Sequence, residues 1–148
     1  MTFLQRAIER RGLMSGYSGT PLTKKLGIKA GFRVRVLNAP VDYEALLDPL
    51  PEGAVISSRR SRSVDIWHVF TKSSAMLSSG LPVAMEAIRP DGAIWVSWPK
   101  KASGVPTDVT EDVIRELALP LGLVDVKVCA VDETWSGLKL VIRKENRN

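Results

Sequence analysis

The segment between Glu86 and Lys101 constrains the fold of this chain more than any other. It reads, in order, as the end of a helix, a Pro-Asp-Gly turn at residues 90–92, a short apolar strand at residues 93–98 and a loop that opens on two lysines. A helix that passes through a tight turn into an apolar strand is the repeating step of open α/β sheets. Because such sheets bind ligands beyond the carboxyl ends of their strands, the two lysines also indicate where a site would lie.

Strand and helix patterns alternate along most of the chain. Strands are predicted at residues 32–38, 54–58, 64–71, 93–98, 124–131 and 135–143. Helices are predicted at residues 2–11, 21–26, 42–47, 73–88 and 108–118. This order predicts an α/β protein with a three-layer, Rossmann-like open sheet, mostly parallel, that ends in an antiparallel hairpin at one edge.

Three local features depart from the simplest pattern. Pro82 interrupts its predicted helix, so we expect a kink or two separate pieces. Asp108 and Glu111 have the spacing of a capping box, which predicts that Asp108 caps the helix that follows it. Only five residues separate the strands at 54–58 and 64–71, whereas a parallel crossover usually needs a dozen or more. The first of these strands is therefore either very short or antiparallel to a neighbour.

Length and composition fit one globular domain. A chain of 148 residues, 45% hydrophobic and 25% charged, is long enough to bury one core. We assign residues 1–15 to an N-terminal helical extension, 16–144 to the domain and 145–148 to a polar tail. No apolar run approaches the roughly 20 residues that span a bilayer, and no secretory signal stands at the start, so a cytoplasmic location without membrane contact is predicted. The net charge of +5 favours anionic partners or serves solubility alone.

Three long strings carry a family resemblance. They read GYSGTPL at residues 16–22, WPKKASGVPTD at residues 98–108 and VDETWSGLK at residues 131–139. On these strings the chain resembles, from Gly16 to Arg143, an uncharacterised and mainly bacterial family known as domain of unknown function 3052. The resemblance implies the fold and the extent of the domain, and it carries no catalytic residue.

The order of the C-terminal elements is also similar to the second half of class I methyltransferases, where a Pro-Gly-Gly turn stands at the place of residues 89–92. That similarity implies a cofactor site with glycines after the first strand and a carboxylate after the second. Here residues 38–43 contain no glycine, and residues 57–59 read Ser-Ser-Arg. We therefore expect no S-adenosylmethionine, NAD or other cofactor, and a degenerate, methyltransferase-like enzyme remains an alternative.

The carboxyl ends of the predicted parallel strands define the candidate ligand site. Cations, hydrogen-bonding groups and one aromatic wall follow these strands, namely Asn38, Arg59, Lys72, Trp98, Lys100, Lys101 and Ser103. The helix that starts at Ser73 or Ser74 is expected to add free amides and positive dipole at the same edge. The predicted function is the binding of a small ligand that bears phosphate or carboxylate, or of an acidic protein partner, without chemistry. An enzyme with an unrecognised site at this edge is the first alternative.

Other residues have simpler structural readings. His68 and Cys129 lie in predicted strands and lack the spacing of a metal site or a catalytic pair, so we predict no catalytic residue and no metal. Asp132 is expected to face solvent at the hairpin turn. The arginines of residues 59–62, together with the basic tail at residues 143–147, leave a nucleic-acid module as a less favoured alternative. A pure interaction scaffold would expose an apolar patch around Trp135 or the first helix.

Overall fold

The computed structural model describes residues 19–147. The predicted extension at residues 1–15 and its helix lie outside the described residues. The described strands are β1 (Arg33–Leu37), β2 (Val55–Ser57), β3 (Val64–Phe70), β4 (Ile88–Pro99), β5 (Leu123–Ala130) and β6 (Trp135–Ile142). The described α-helices are α1 (Leu22–Leu26), α2 (Tyr43–Leu46), α3 (Ser74–Ala87) and α4 (Glu111–Ala118). None of these helices has both the length and the apolar composition that crossing a membrane requires.

The six strands form one sheet in the order β2-β1-β3-β4-β6-β5. The first four strands are parallel, and β6 joins β4 and β5 in antiparallel pairs. The prediction of a mostly parallel sheet with a C-terminal hairpin at one edge is therefore confirmed. Because β1 to β4 run the same way, their carboxyl ends share one side of the sheet, which we call the carboxyl edge.

Helices cover both faces of the sheet. Val34 and Val36 of β1 pack with α1 and α2, on what we call the α1 face. Trp67 of β3 packs with α3 and α4 on the opposite, α3 face. Alternation along β1 sends its valines to the α1 face and Arg35 to the α3 face, where its guanidinium lies 4.6 Å from the centre of the Trp67 ring.

The connection from β2 to β3 is short because β2 itself is very short, which is the first of the two predicted alternatives. β2 has three residues and pairs with β1 in parallel, so the antiparallel alternative is wrong. A strand this short lets residues 58–63 return to the start of β3 without a helix. The loop crosses the α3 face beside β1, where Arg33 Nη2 donates to Ser61 Oγ at 3.1 Å. As a result, β1 has no crossover helix above it on this face.

Two expectations about α3 and β4 need correction. Pro82 lies inside one continuous α3, so the helix is not divided into two pieces. β4 begins at Ile88, directly after α3, and the expected turn is a bulge within that strand: Ile88 pairs with Val64, whereas Ala93 already pairs with Ile66. The pairing of β3 absorbs the extra residues of β4 because they loop outward between these two positions.

Candidate functional site

A cavity of about 110 Å³ lies between the sheet and α3, on the α3 face. Leu37, Trp67 and Val69 line it from β1 and β3, and Leu77 and Leu81 line it from α3. Its walls are apolar because these positions face inward on both elements. The cavity exists beside β1 because the connection from β2 to β3 brings no helix to fill that position.

The mouth of the cavity lies at the carboxyl edge. Asn38 and Thr71, the residues that follow β1 and β3, line it together with Met76 and Gly80 of α3. Asn38 has a positive φ of 59°, a conformation that asparagine tolerates better than most residues. The predicted site residue Asn38 therefore contributes directly to the cavity, whereas sequence reasoning missed its apolar walls. The alternation of arginine and valine along β1 is the signal that would have separated the two faces.

The predicted cations all follow carboxyl ends of parallel strands but do not converge on the cavity. Lys72 follows Thr71 and is the nearest of them in sequence to a lining residue, and Arg59 is exposed after β2. Lys100 follows β4, and its charge, after those of Lys25 and Lys127, opposes the effect of burial, which raises the pKa of the Cys129 thiol. Lys101 is exposed in the next turn. The edge is cationic after β2, β3 and β4.

Trp98 and Ser103 already have structural partners. Trp98 is 8% exposed and belongs to the core cluster beneath α3 and α4. Ser103 Oγ donates to Lys100 O at 2.6 Å and accepts from Val105 N at 3.2 Å, which closes the loop that carries the lysines. These two side chains hold the edge in shape.

The N-terminus of α3 is occupied by a carboxylate of the chain itself. Ser73 is the cap, as one alternative predicted, and its Oγ accepts from Met76 N. Asp108 Oδ1 accepts from Ser74 N at 2.8 Å, and Oδ2 accepts from Ser74 Oγ at 2.7 Å. The expectation of free amides at this terminus is wrong, because Asp108 already satisfies the helix end and its dipole.

The prediction that Asp108 caps α4 is also wrong. Thr110 is the cap of α4, with its side chain accepting from Val113 N, whereas Asp108 lies two residues before it and bonds to α3. Threonine and aspartate compete as caps on similar terms, and the tertiary contact with Ser74 decides which one points toward α4.

Replacing Asp108 by alanine is expected to lower the melting temperature. Hydrogen bonds from the hydroxyl and then the backbone of Ser74 hold the pKa of Asp108 below its ordinary value. The stabilisation is therefore present above about pH 4, and it is lost as the pH falls through the lowered pKa. Thermal unfolding at pH 7 and pH 3, with Glu133→Ala as an exposed control, tests this. Equal melting temperatures for the two variants at pH 7 would contradict the assignment.

His68 is enclosed at the centre of the sheet. It is fully buried, its Nδ1 lies 2.8 Å from Tyr43 Oη, and its Nε2 lies 2.8 Å from Ser97 Oγ. Its ring also stacks on Phe70 at 4.4 Å. Burial lowers the pKa of His68 to about 3, so the ring is neutral at pH 7. The reading of His68 as a satisfied core residue is confirmed, and the imidazole is closed to any ligand at the edge.

Asp132, which was expected to face solvent, is half-buried and holds the hairpin turn. Its Oδ1 accepts from Thr134 N at 2.8 Å and from Trp135 N at 2.7 Å. Trp135 in turn packs its ring edge-on against Phe70 at 5.1 Å, so it is half-buried and does not head an exposed patch. Among residues 19–147, no three histidine, cysteine, aspartate or glutamate side chains lie close enough to hold a metal ion.

The two basic groups that suggested nucleic acid lie apart. Arg59 to Arg62 follow β2 at one end of the sheet, whereas Arg143 follows β6 near the other end. At about 4.8 Å per strand, roughly 19 Å separates β2 from β6. The two groups therefore do not form one patch.

Comparison with known proteins gives a family and a fold. The sequence pattern of the family described as "Protein of unknown function (DUF3052)" matches residues 61–144. A SAM dependent methyltransferase from Aquifex aeolicus superposes with a TM-score of 0.62 at 12% identity, covering 96% of this chain and 100% of that one. Aeropyrum pernix fibrillarin, solved with bound S-adenosyl-L-methionine, gives 0.56 at 15% identity, covering 93% and 74%.

A tRNA methyltransferase from B. subtilis gives a TM-score of 0.53 at 12% identity, covering 84% of this chain and 66% of that one. At such identities the likeness establishes a Rossmann-like, methyltransferase-like fold and nothing about activity. No match was found among the curated proteins.

Proposed function

This chain belongs to the family described as "Protein of unknown function (DUF3052)", and we propose that it binds a small anionic ligand at the carboxyl edge of its sheet. The apolar part of the ligand enters the cavity on the α3 face, and its anionic group stays at the mouth. The observation that carries the proposal is the position of an apolar cavity at an edge where every parallel strand is followed by polar or cationic residues.

The size of the cavity limits the apolar part of the ligand. An engineered apolar cavity of about 150 Å³ binds benzene, so a volume of about 110 Å³ suits a short alkyl chain or a small ring. The carboxamide of Asn38 supplies hydrogen bonds at the mouth, whereas Thr71 Oγ1 is already engaged, donating to Ser73 O and accepting from Ser73 N. This combination of apolar walls and a few polar groups is typical of small-molecule sites.

Charge at the edge supports an anion rather than a neutral ligand. Arg59, Lys72 and Lys101 form no ion pair with a carboxylate of residues 19–147. Unpaired cations around a concave site raise the local concentration of anions. We propose that Lys72, which follows Thr71, lies nearest to the anionic group of the ligand. Arg59, Lys100 and Lys101 attract that group over a longer distance.

The residues at this edge do not fit S-adenosylmethionine, the ligand of the fibrillarin neighbour. Ribose hydroxyls need a carboxylate after the second strand, but residues 57–59 here contain no acidic side chain. The Ser57 hydroxyl accepts a hydrogen bond from the backbone N–H of Arg59. After β1, Pro40 has no N–H to offer, and Tyr43 is buried against His68. Ligand pockets of that class usually enclose about 300–1,000 Å³, well above the cavity present.

Binding of hexanoate and of the neutral analogue hexanamide, measured by calorimetry, tests the proposal. We expect hexanoate to bind, hexanamide to bind several-fold more weakly, and Gly80→Leu to abolish both by filling the cavity. Lys72→Glu is expected to weaken hexanoate binding, whereas Lys144→Glu, the same charge change at the far end of the sheet, leaves it unaltered. Equal effects of the two charge reversals, or no binding by the wild type to hexanoate, benzoate or phenyl phosphate, would overturn the proposal.

A further inference from the structure

Two lysines stand directly opposite each other on the α1 face of the C-terminal hairpin. Lys127 of β5 pairs with Lys139 of β6, which in turn pairs with Trp95 of β4, a core residue of the α1 face. Directly opposite residues share a face, and their Cβ atoms lie about 4.5–5.5 Å apart. Like charges at this distance repel each other. Burial, and then the charges of Lys127 and Lys29, accordingly lowers the pKa of Lys139.

The end of α1 brings a third lysine to the same place. Lys127 Nζ donates to Lys25 O at 3.2 Å, and Lys25 Nζ donates to Ala130 O, at the end of β5, at 3.0 Å. Lys139 Nζ also reaches α1, since it lies 4.0 Å from the point that a Cβ of Gly27 would occupy. We call these three residues, Lys25, Lys127 and Lys139, the lysine cluster.

The elements around the cluster supply no countercharge for its strand pair. No described carboxylate forms an ion pair with Lys127 or Lys139. Residues 19–41 and the whole of β6 contain no aspartate or glutamate. The one acid of β5, Asp125, lies on the opposite, α3 face, where its Oδ2 accepts from Arg115 Nε at 2.9 Å. Two repelling cations without a nearby acid therefore indicate an anionic partner from outside these elements.

The neighbouring side chains favour one kind of anion. Beside the lysines, β5 and β6 present Val124, Cys129 and Val141 on this face, with no hydroxyl or carboxamide among them. Trp135, the aromatic residue of these strands, already packs against Phe70. Protein interfaces are depleted in lysine, single strands are bound by aromatic stacking, and RNA duplexes are read through their 2′-hydroxyl groups. The phosphates of a DNA duplex need only cations.

We propose that the lysine cluster binds the phosphate backbone of double-stranded DNA without reading its sequence. Phosphates at the cluster replace the repulsion between Lys127 and Lys139 by attraction to a common partner. The surface is distinct from the basic groups at residues 59–62 and 143–147. It lies on the face opposite the cavity, so the inference is independent of the proposed function.

The salt dependence of binding measures how many phosphates the cluster contacts. Fluorescence anisotropy of a labelled DNA duplex of about 20 base pairs, titrated with the full chain at several salt concentrations between about 20 and 100 mM, gives the affinity at each. Each contacted phosphate contributes about −0.9 to the slope of log affinity against log salt, so three lysines predict a slope of about −3.

Substitution of the strand pair tests the location of the site. Lys127→Gln combined with Lys139→Gln is expected to reduce the slope by about 2 and to weaken binding about tenfold or more at the lowest salt. Arg62→Gln combined with Lys144→Gln removes the same net charge outside the cluster, and it should leave the slope unaltered. Glutamine keeps a donor for Lys25 O and removes the repulsion, so the melting temperature of the cluster variant should not fall.

A charge-preserving variant separates binding from folding. Lys127→Arg combined with Lys139→Arg retains both cations and should keep the slope of the wild type. If this variant loses binding as fully as the glutamine variant, or if the control variant lowers the slope as much, the cluster is not the site and the inference is wrong.

The wild type also decides which anion the cluster takes. Absence of DNA binding at the lowest salt would overturn the inference. Tighter binding to an RNA duplex of equal length, to polyglutamate or to phosphatidylserine vesicles would assign the cluster to that partner and overturn it too. Hexanoate binding should be equal in the wild type and the glutamine variant, so the proposed function is tested separately.

Discussion

Acidification from pH 7 to pH 5 is expected to lower the free energy of unfolding by about 2 kcal/mol through His68 alone. Burial holds the pKa of His68 at about 3, whereas an exposed histidine of the unfolded chain titrates near 6.5. Below pH 6.5 the unfolded chain therefore takes up a proton that the folded protein refuses. The slope approaches about 1.4 kcal/mol per pH unit until the folded pKa is reached, so stability is highest above pH 6.5 in this respect.

His68 is the only histidine in the chain, which makes the measurement unambiguous. Its imidazole resonances should not shift between pH 8 and pH 5 in the folded state. Urea unfolding at the same pH values should show the predicted slope in the wild type and a much shallower one in His68→Asn, which has no titratable ring. A titration of the folded imidazole near pH 6.5 would show that the ring meets solvent.

The buried hydrogen bond between Tyr43 and His68 gives a second prediction, the free-energy cost of removing it. Tyr43→Phe removes the hydroxyl 2.8 Å from His68 Nδ1 and leaves that nitrogen buried without a partner. Such a loss costs about 1–3 kcal/mol, and the change in packing is small because only one oxygen is removed. The effect therefore reports on the hydrogen bond rather than on volume.

Gly92→Ala is expected to destabilise the protein by about 2 kcal/mol. A Cβ at this position would lie 2.9 Å from Asp65 O and 3.0 Å from Arg89 O. Both atoms belong to the backbone of the bulge where β4 loops outward against β3, so neither moves as easily as the tip of a side chain. The bulge needs glycine for this close approach, since the extra methyl group has no space.

Gly80→Ala provides the matched control, with an effect of opposite sign. Gly80 lies within α3, and an added Cβ meets no atom within 4 Å. Alanine there gains helix propensity of up to about 1 kcal/mol. In chemical denaturation, the free energy of unfolding should be lower than that of the wild type for Gly92→Ala and higher for Gly80→Ala. If Gly92→Ala proved as stable as the wild type, the tight bulge would be refuted.

Much of the fold follows from local patterns in the sequence. The alternation of Val34 and Val36 with Arg33 and Arg35 predicts a strand, and Gly27 ends α1 with a φ of 77°, as the Lys-Lys-Leu-Gly pattern indicates. The Pro-Asp-Gly segment at residues 90–92 predicts a turn before an apolar strand. It is a bulge rather than a turn, because strand pairing with β3 extends past it on both sides.

The candidate site was only partly predictable. Strand direction places Asn38, Lys72 and Lys100 at one edge, and that much follows from the order of elements. Which face each side chain takes depends on alternation and packing, and of these three residues only Asn38 lines the cavity. Asp108 illustrates the same limit, since a local motif assigned it to α4 and a contact 34 residues away in sequence assigns it to α3.

The sequence by itself determined the class of the fold, the hairpin at the edge and the polar character of the carboxyl edge, because these depend on period, turn residues and strand direction over short segments. The tertiary structure alone decided which partners the polar side chains have. Three contacts between distant segments made that decision: Asp108 on Ser74, Tyr43 on His68, and Arg35 on Trp67. Hydrogen bonding and burial at such contacts depend on packing across the sheet, which no local pattern records.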